Sequence, residues 1–344
     1  MLAVNPNPSP VRRILCLDGG GIMGTQPASF LASLEESLDR PIGEYFDLIA
    51  GTSTGGILAI GLGLGFSAKR LLELYVERGP FIFGGGVSGF PAFIHGIWRE
   101  IKHWVAPKHN AQGLRQELET ILAQKRLGDS RTRLLIPAWD PTCRSVYIFK
   151  TAHHARLKTD YRRLAVDAAM ATAAAPTYFK RHTTAEHVGL LDGGVWANNP
   201  IALAVVEAIS LLHWPASSLR VLSLGCVNEI YSLEATPGKI NIVGDLARLF
   251  MDGQSRGALG MAKLLTGHEY EREAIFRCCP DVPKNLFKLD DTSKISELRG
   301  MGAAAARKER TRLEPVFFRA PAERFEPIYR IKEAADEFAC SQAF

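Results

Sequence analysis

Phe46-Asp47-Leu48-Ile49-Ala50-Gly51-Thr52-Ser53-Thr54-Gly55-Gly56-Ile57-Leu58-Ala59-Ile60 changes character in its middle. The part up to Ala50 is a short apolar run closed by glycine, which reads as a buried strand. The part from Ile57 to Leu64 is apolar again and reads as a helix. Between them, Gly51-Thr52-Ser53-Thr54-Gly55 has the form G-x-S-x-G, which sets a serine on a sharp strand-to-helix turn with its hydroxyl exposed. The helix start behind that serine supplies unpaired N–H groups and the positive end of a dipole.

The same strand, glycine turn and helix recur on either side. Upstream, Arg13-Ile14-Leu15-Cys16-Leu17 stops at Asp18-Gly19-Gly20-Gly21, and Phe30, Leu31, Leu34 and Leu38 follow near helical spacing. Downstream, Arg133–Ala138 and Ser145–Phe149 read as strands about a turn at Asp140-Pro141. Asp167–Ala175 is an Ala-rich helix stopped by Pro176. Val188–Leu191 leads into Asp192-Gly193-Gly194, Pro200–Leu212 is a helix opened by proline, and Leu219–Leu224 is a last core strand. Such alternation predicts an α/β sheet with helices on both faces. Sites in these sheets form where strand ends meet helix starts, and all three glycine-rich segments fall at such places.

Bulk properties narrow the class without choosing a function. The 344 residues are 47% hydrophobic and 22% charged, so a sizeable core can be buried. No repeat or linker divides the chain. The first ten residues lack the apolar run of a secretory signal. The longest apolar stretch, Ile57–Phe66, is about half of the roughly 20 residues that span a bilayer. Six cysteines are scattered without paired spacing, and Cys16 and Cys226 lie in apolar runs as buried thiols. A cytoplasmic protein is expected. The net charge of +5 suits an anionic phospholipid or nucleotide surface, and equally an ordinary solvated one.

A serine hydroxyl is a weak nucleophile and needs a base. None of the nine histidines stands out as that base. His95, His103 and His109 fall in an aromatic stretch, His153 and His154 in a polar turn, and His182, His187, His213 and His268 are isolated. No acidic or cysteine partner stands at metal-ligand spacing from His153-His154, so no metal is expected. Asp192-Gly193-Gly194 offers a carboxylate instead, at the end of another strand of the same sheet. Asp18–Gly24 brings successive backbone N–H groups toward one point, a concavity that suits either a phosphate or the oxyanion of acyl transfer. It lacks the Gly-Lys-Ser/Thr of a Walker loop.

Two further segments carry expectations. Pro80–Asn110 holds Phe81, Phe83, Phe90, Phe93, Trp98 and Trp104 among glycines and bases, which suits a lid or membrane-touching flap, or an insertion packed on the core. The charged helical pattern after Asp290 suits a capping or oligomerising helix, which makes a homodimer a candidate assembly. The organisation expected is a core over residues 12–225, with 80–110 as its flap, and a helical part over 226–344 packed on it.

Taken in order, Asp18–Gly24, Gly51–Gly55 and Asp192–Gly194 resemble the patatin-like phospholipases, and Ala197-Asn198-Asn199-Pro200 is similar to that family's continuation. The resemblance covers roughly residues 12–225. It implies a three-layer α/β/α fold with a mainly parallel central sheet. It also implies a serine acyl hydrolase of the phospholipase A type, with Ser53 as nucleophile and Asp192 as its dyad partner. The oxyanion donors it implies lie at Gly19, Gly20, Gly21 and Thr54, framed by Gly24, Gly51, Gly55, Gly193 and Gly194. Met23 stands where the family often has Arg or Lys. Within the family the chain looks most like bacterial members that include the phospholipase effectors of cyclic-oligonucleotide antiphage signalling. That implies a cyclic dinucleotide activator, a phospholipid membrane surface as peripheral partner, and no nucleic acid. A lysophospholipase or acyltransferase with the same dyad, and a non-catalytic nucleotide-binding signalling protein, are the competing readings.

Overall fold

The computed structural model describes residues 10–83, 111–176, 178–230, 242–268, 272–284 and 286–331. Its centre is an eight-stranded sheet. The strands are β1 (Arg12–Leu17), β2 (Leu48–Gly51), β3 (Arg133–Asp140), β4 (Ser145–Lys150), β5 (His182–Thr183), β6 (Gly189–Asp192), β7 (Leu219–Leu224) and β9 (Ile275–Cys278). They run in the order β5-β6-β3-β2-β1-β7-β9, with β4 also on β3. The neighbours β3-β2-β1-β7-β9 are parallel, while β4, β6 and β5 are joined antiparallel. A parallel pair of β8 (Asn228–Ile230) and β10 (Asp281–Pro283) stands apart.

Residues of one strand alternate between two cores. Leu15, Leu17, Ile49, Leu134 and Ile136 face one, and Ile14, Cys16, Leu48, Ala50 and Leu135 face the other. Burial on both faces is why these strands read as unbroken apolar runs. The first core is covered by α1 (Thr25–Glu35), α2 (Thr54–Gly63), α3 (Ala111–Leu122) and α4 (Ala165–Thr172); the second by α5 (Ile201–Val206) and α6 (Ile242–Thr266). The architecture is three-layer α/β/α with a mainly parallel sheet, as the resemblance implied.

The end of the chain is more than a helical cap. β9 extends the main sheet beside β7, with Leu222 opposite Phe276. The helix α7 (Ile295–Phe317) lies along α1, and at Gly302 a Cβ would strike the Gln26 carbonyl, so only glycine admits that close crossing. Ser29 Oγ donates to the Arg299 carbonyl at 2.8 Å across the same contact. The charged tail helix is thus a cap on its own domain. Of the aromatic stretch, Pro80–Phe83 ends a short helix (Gly79–Phe83); residues 84–110 lie outside the described residues. Among the described residues no helix is long and apolar enough to cross a membrane.

Candidate active site

The site is built where β1 and β2 end side by side, with Leu17 opposite Gly51. Beyond Gly51 the chain turns sharply. Ser53 takes φ 55°, ψ −124°, a conformation rarely adopted by a residue with a Cβ, and α2 starts at once with Thr54. Strain of this kind costs on the order of 1–3 kcal/mol and persists only where the surroundings over-determine it. Here they do. Ser53 N–H donates to Thr172 Oγ1 at 3.0 Å, and that hydroxyl donates to the Pro137 carbonyl at 2.6 Å. Thr52 Oγ1 donates to the Ala197 carbonyl at 2.6 Å, and its N–H to the Leu17 carbonyl at 3.1 Å. The helix begins earlier than Ile57 because Gly55 admits the Leu17 and Asp18 carbonyls where any side chain would collide.

Asp192 closes β6, opposite Ala138 of β3. Its carboxylate accepts the Gly194 N–H at 2.6 Å, and the Ser53 hydroxyl stands near enough to pull its pKa down. The group is 4% exposed, and that burial pushes its carboxyl up to about 7 against the pull of both neighbours. Desolvation dominates because it disfavours the charged form more than two donors can repay. A carboxyl held near neutrality is suited to exchange a proton with a hydroxyl.

The glycine loop after β1 lies against the serine. A Cβ on Gly19 would come within 3.1 Å of the Ser53 Cβ. The N–H of Gly19 donates to the Asn198 carbonyl at 3.0 Å. This corrects its expected place among the oxyanion donors: Gly19 anchors the loop and has no N–H to offer. The N–H groups of Gly20, Gly21 and Thr54 have no acceptor among the described residues. Gly21 adopts φ +57°, and a side chain there would strike the Leu289 carbonyl. Gly24 packs on the Thr54 side chain, and Gly193 on the Pro137 carbonyl, each with no room for a Cβ. Thr54 is fixed further by Tyr75, whose hydroxyl donates to the Thr54 carbonyl at 2.9 Å.

Several supports were not legible in the sequence. Arg277, on β9, forms a fork on Asp18 at 3.0 and 2.5 Å and donates to Ser223 Oγ at 2.8 Å. Burial raises the Asp18 carboxyl while Arg277 lowers it. Leu289 takes the Ile22 N–H at 2.8 Å and so holds the far side of the loop. Thr172 carried no motif signal at all. Met23 packs on Val282, Phe287 and Leu298, an apolar use of the position that often carries Arg or Lys.

Three of the described histidines are engaged elsewhere. His153 lies between Thr151 Oγ1 and Glu207 Oε1, both 2.9 Å away, and Glu207 also receives Lys150. His182 pairs with Asp167 at 3.0 Å. His268 Nδ1 accepts the Ala274 and Ile275 N–H groups at 3.1 Å. Among the described residues no group of three side chains could hold a metal ion.

The chain is similar to known proteins over most of its length. The sequence pattern of the family described as patatin-like phospholipase matches residues 15–205. A protein of Pseudomonas aeruginosa named cGAMP-activated phospholipase is 34% identical over 322 residues, covering 90% of this chain and 92% of that protein. One of Vibrio cholerae with the same name is 29% identical over 347 residues, covering 91% and 96%. Patatin-like protein 1 of rice (Oryza sativa subsp. indica) is 34% identical over 226 residues, covering 59% and 53%. With the family pattern spanning more than half of the sequence and a relative 34% identical over nearly the full length of both chains, the chain belongs to the patatin-like phospholipase family.

Proposed function

We propose that this protein is a serine acyl hydrolase of phospholipids that works through a Ser53–Asp192 dyad. The observation that carries the reading is that the strand register brings Ser53 level with the buried Asp192 carboxylate, beside N–H groups of Gly20, Gly21 and Thr54 that have no acceptor among the described residues. Ser53 Oγ attacks the ester carbonyl carbon as its proton passes to Asp192. The carbonyl oxygen takes the negative charge and is held by those three amides. The ester C–O bond then breaks, Asp192 returns the proton to the leaving lysophospholipid oxygen, and the acyl group remains on Ser53. Water attacks the acyl-enzyme with Asp192 again accepting the proton; the Ser53 Oγ–C bond then breaks, Asp192 returns that proton to Ser53 Oγ, and the fatty acid leaves. Losing one oxyanion donor costs on the order of 10²–10³ in rate in a protease of known geometry, so the glycine loop carries much of the catalysis.

The reading extends to control. Two relatives similar over almost their whole length are named for activation by cGAMP. We infer that a cyclic dinucleotide switches this enzyme on, and that the active form works as a peripheral protein on the inner membrane of a bacterial cell, degrading it in antiphage defence. Purified protein with phospholipid vesicles, with and without a panel of cyclic dinucleotides, tests both parts. Fatty acid release that appears with one nucleotide and vanishes in Ser53→Ala supports the whole reading. Equal release by Ser53→Ala removes the dyad. Mapping which acyl ester is cleaved separates A1 from A2 action, and added alcohol acceptors reveal acyl transfer.

A further inference from the structure

A helical turn of uncommon form stands behind the glycine loop. The helix Ala68–Glu73 runs on into a π-helical turn, Leu74–Arg78, and then into the short helix Gly79–Phe83. Widened turns of this kind are rare, occur mostly as single insertions within helices and are frequent at functional sites. Tyr75 and Gly79, four residues apart, share one face of it, and both are buried.

That face meets both halves of the amide cluster beside Ser53. On one side Thr54 Oγ1 donates to the Tyr75 hydroxyl at 2.6 Å, and the same hydroxyl donates to the Thr54 carbonyl at 2.9 Å. One oxygen thus grips Thr54 twice, by side chain and by main chain, while the Thr54 N–H has no acceptor among the described residues. On the other side a Cβ at Gly79 would come within 2.7 Å of Ile22 Cδ1, and one at Gly24 would strike the Thr54 hydroxyl. Ile22 and Gly24 belong to the loop that carries Gly20 and Gly21.

We propose that Tyr75 is a positioning residue for the oxyanion hole, fixing the Thr54 amide that follows the nucleophile, while its own helical turn backs the glycine loop. The inference rests on the acyl-hydrolase reading of the site and adds a residue that lies outside every motif. Packing alone would be served by phenylalanine, whose ring fills the same space. The hydroxyl supplies one donor and one acceptor, and Thr54 offers a carbonyl and a hydroxyl to match them. Burial pushes the Tyr75 phenol up, so the donor persists at any working pH. Its proton is committed to the Thr54 carbonyl, and Tyr75 therefore takes no part in proton transfer.

Tyr75→Phe keeps the ring and removes both hydrogen bonds. Hydrolysis of a p-nitrophenyl acyl ester with cGAMP present gives the rates, and complete reaction with a fluorophosphonate counts the sites. Per site, kcat should fall about tenfold with KM changed by less than about twofold, the pattern of an interaction lost in the transition state. A trifluoromethyl ketone, whose oxygen becomes the anion when Ser53 Oγ adds to its carbonyl carbon, should bind more weakly by the same factor. The pH profile should keep its midpoint while its plateau falls, because Asp192 is untouched. Thr54→Val/Tyr75→Phe, which buries no unpaired hydroxyl, should recover the melting temperature and not the rate. A wild-type kcat per site in Tyr75→Phe, a loss confined to KM, or a rate that returns with stability in the double variant overturns the proposal. Those results leave the dyad standing where Ser53→Ala is inactive. Equal hydrolysis by Ser53→Ala, or none by wild type, removes the acyl-hydrolase reading and this inference with it.

Discussion

Ser53 and Asp192 stand at the same height on the sheet with a single strand between them. Ala50 pairs with Leu135, and Ala138 pairs with Asp192. Three residues past Ala50 lies Ser53, and three past Leu135 lies Ala138. Strand register alone therefore carries hydroxyl and carboxylate to one level, and the turn at Ser53 closes the remaining gap.

The carboxyl at about 7 sets the pH response of the proposed reaction. Asp192 accepts a proton only when ionised, so kcat/KM should rise tenfold per pH unit below that value and level off above it. A rate–pH profile between pH 5 and 9 checks this. A profile already flat at pH 5 would show an unshifted carboxyl and refute the assignment.

The same burial has an opposite effect on stability. A carboxyl raised in the folded state stabilises the fold fully below its unfolded value of 3.8, and that contribution is lost as pH rises through about 7. Ionised Asp192 thus weakens the fold at pH 8, by on the order of 4 kcal/mol before relaxation. Asp192→Asn should melt higher than wild type at pH 8, and the gain should shrink toward pH 5. Its hydrolase activity should fall to that of Ser53→Ala.

Thr172 is a positioning residue. Thr172→Val keeps the shape and leaves the Ser53 N–H and the Pro137 carbonyl unpaired in the interior, each at about 1–3 kcal/mol. A loss of about 10-fold in kcat with little change in KM is expected, with recovery in Thr172→Ser. A purely structural role would lower the melting temperature and leave the kcat of the folded fraction intact.

Breaking the pair beneath the glycine loop should be costly. Arg277→Met leaves the Asp18 carboxylate buried without its partner, which destabilises by about 3–5 kcal/mol. Denaturant titration should show that loss, and Asp18→Asn/Arg277→Met should regain part of it. If the double variant is no more stable than the single one, the cost lies in lost packing of Arg277.

Gly21→Ala tests the loop conformation itself. A positive φ costs a residue with a Cβ roughly 1–2 kcal/mol, and here the methyl also meets the Leu289 carbonyl. The fold should survive with a modestly lower melting temperature, while hydrolysis should fall at least tenfold as the loop amides move.

Much of this protein is local in origin. The alternation of apolar runs with glycine turns determined the three-layer class, because a strand buried on both faces has no polar side to show. Gly51–Gly55 determined the elbow, since only that spacing lets the chain turn so tightly after a strand. The Asp192-Gly193-Gly194 turn marked a carboxylate at a strand end. Tertiary structure decided the rest. It brought Thr172 and Arg277 to the site from elements with no motif, and it spent the Gly19 N–H on Asn198. It added β9 to the sheet from a segment that reads as helical, and it turned Asp192 from an ordinary acid into one near neutrality. Those outcomes depend on which groups meet and how much water is excluded, and periodicity along the chain records neither.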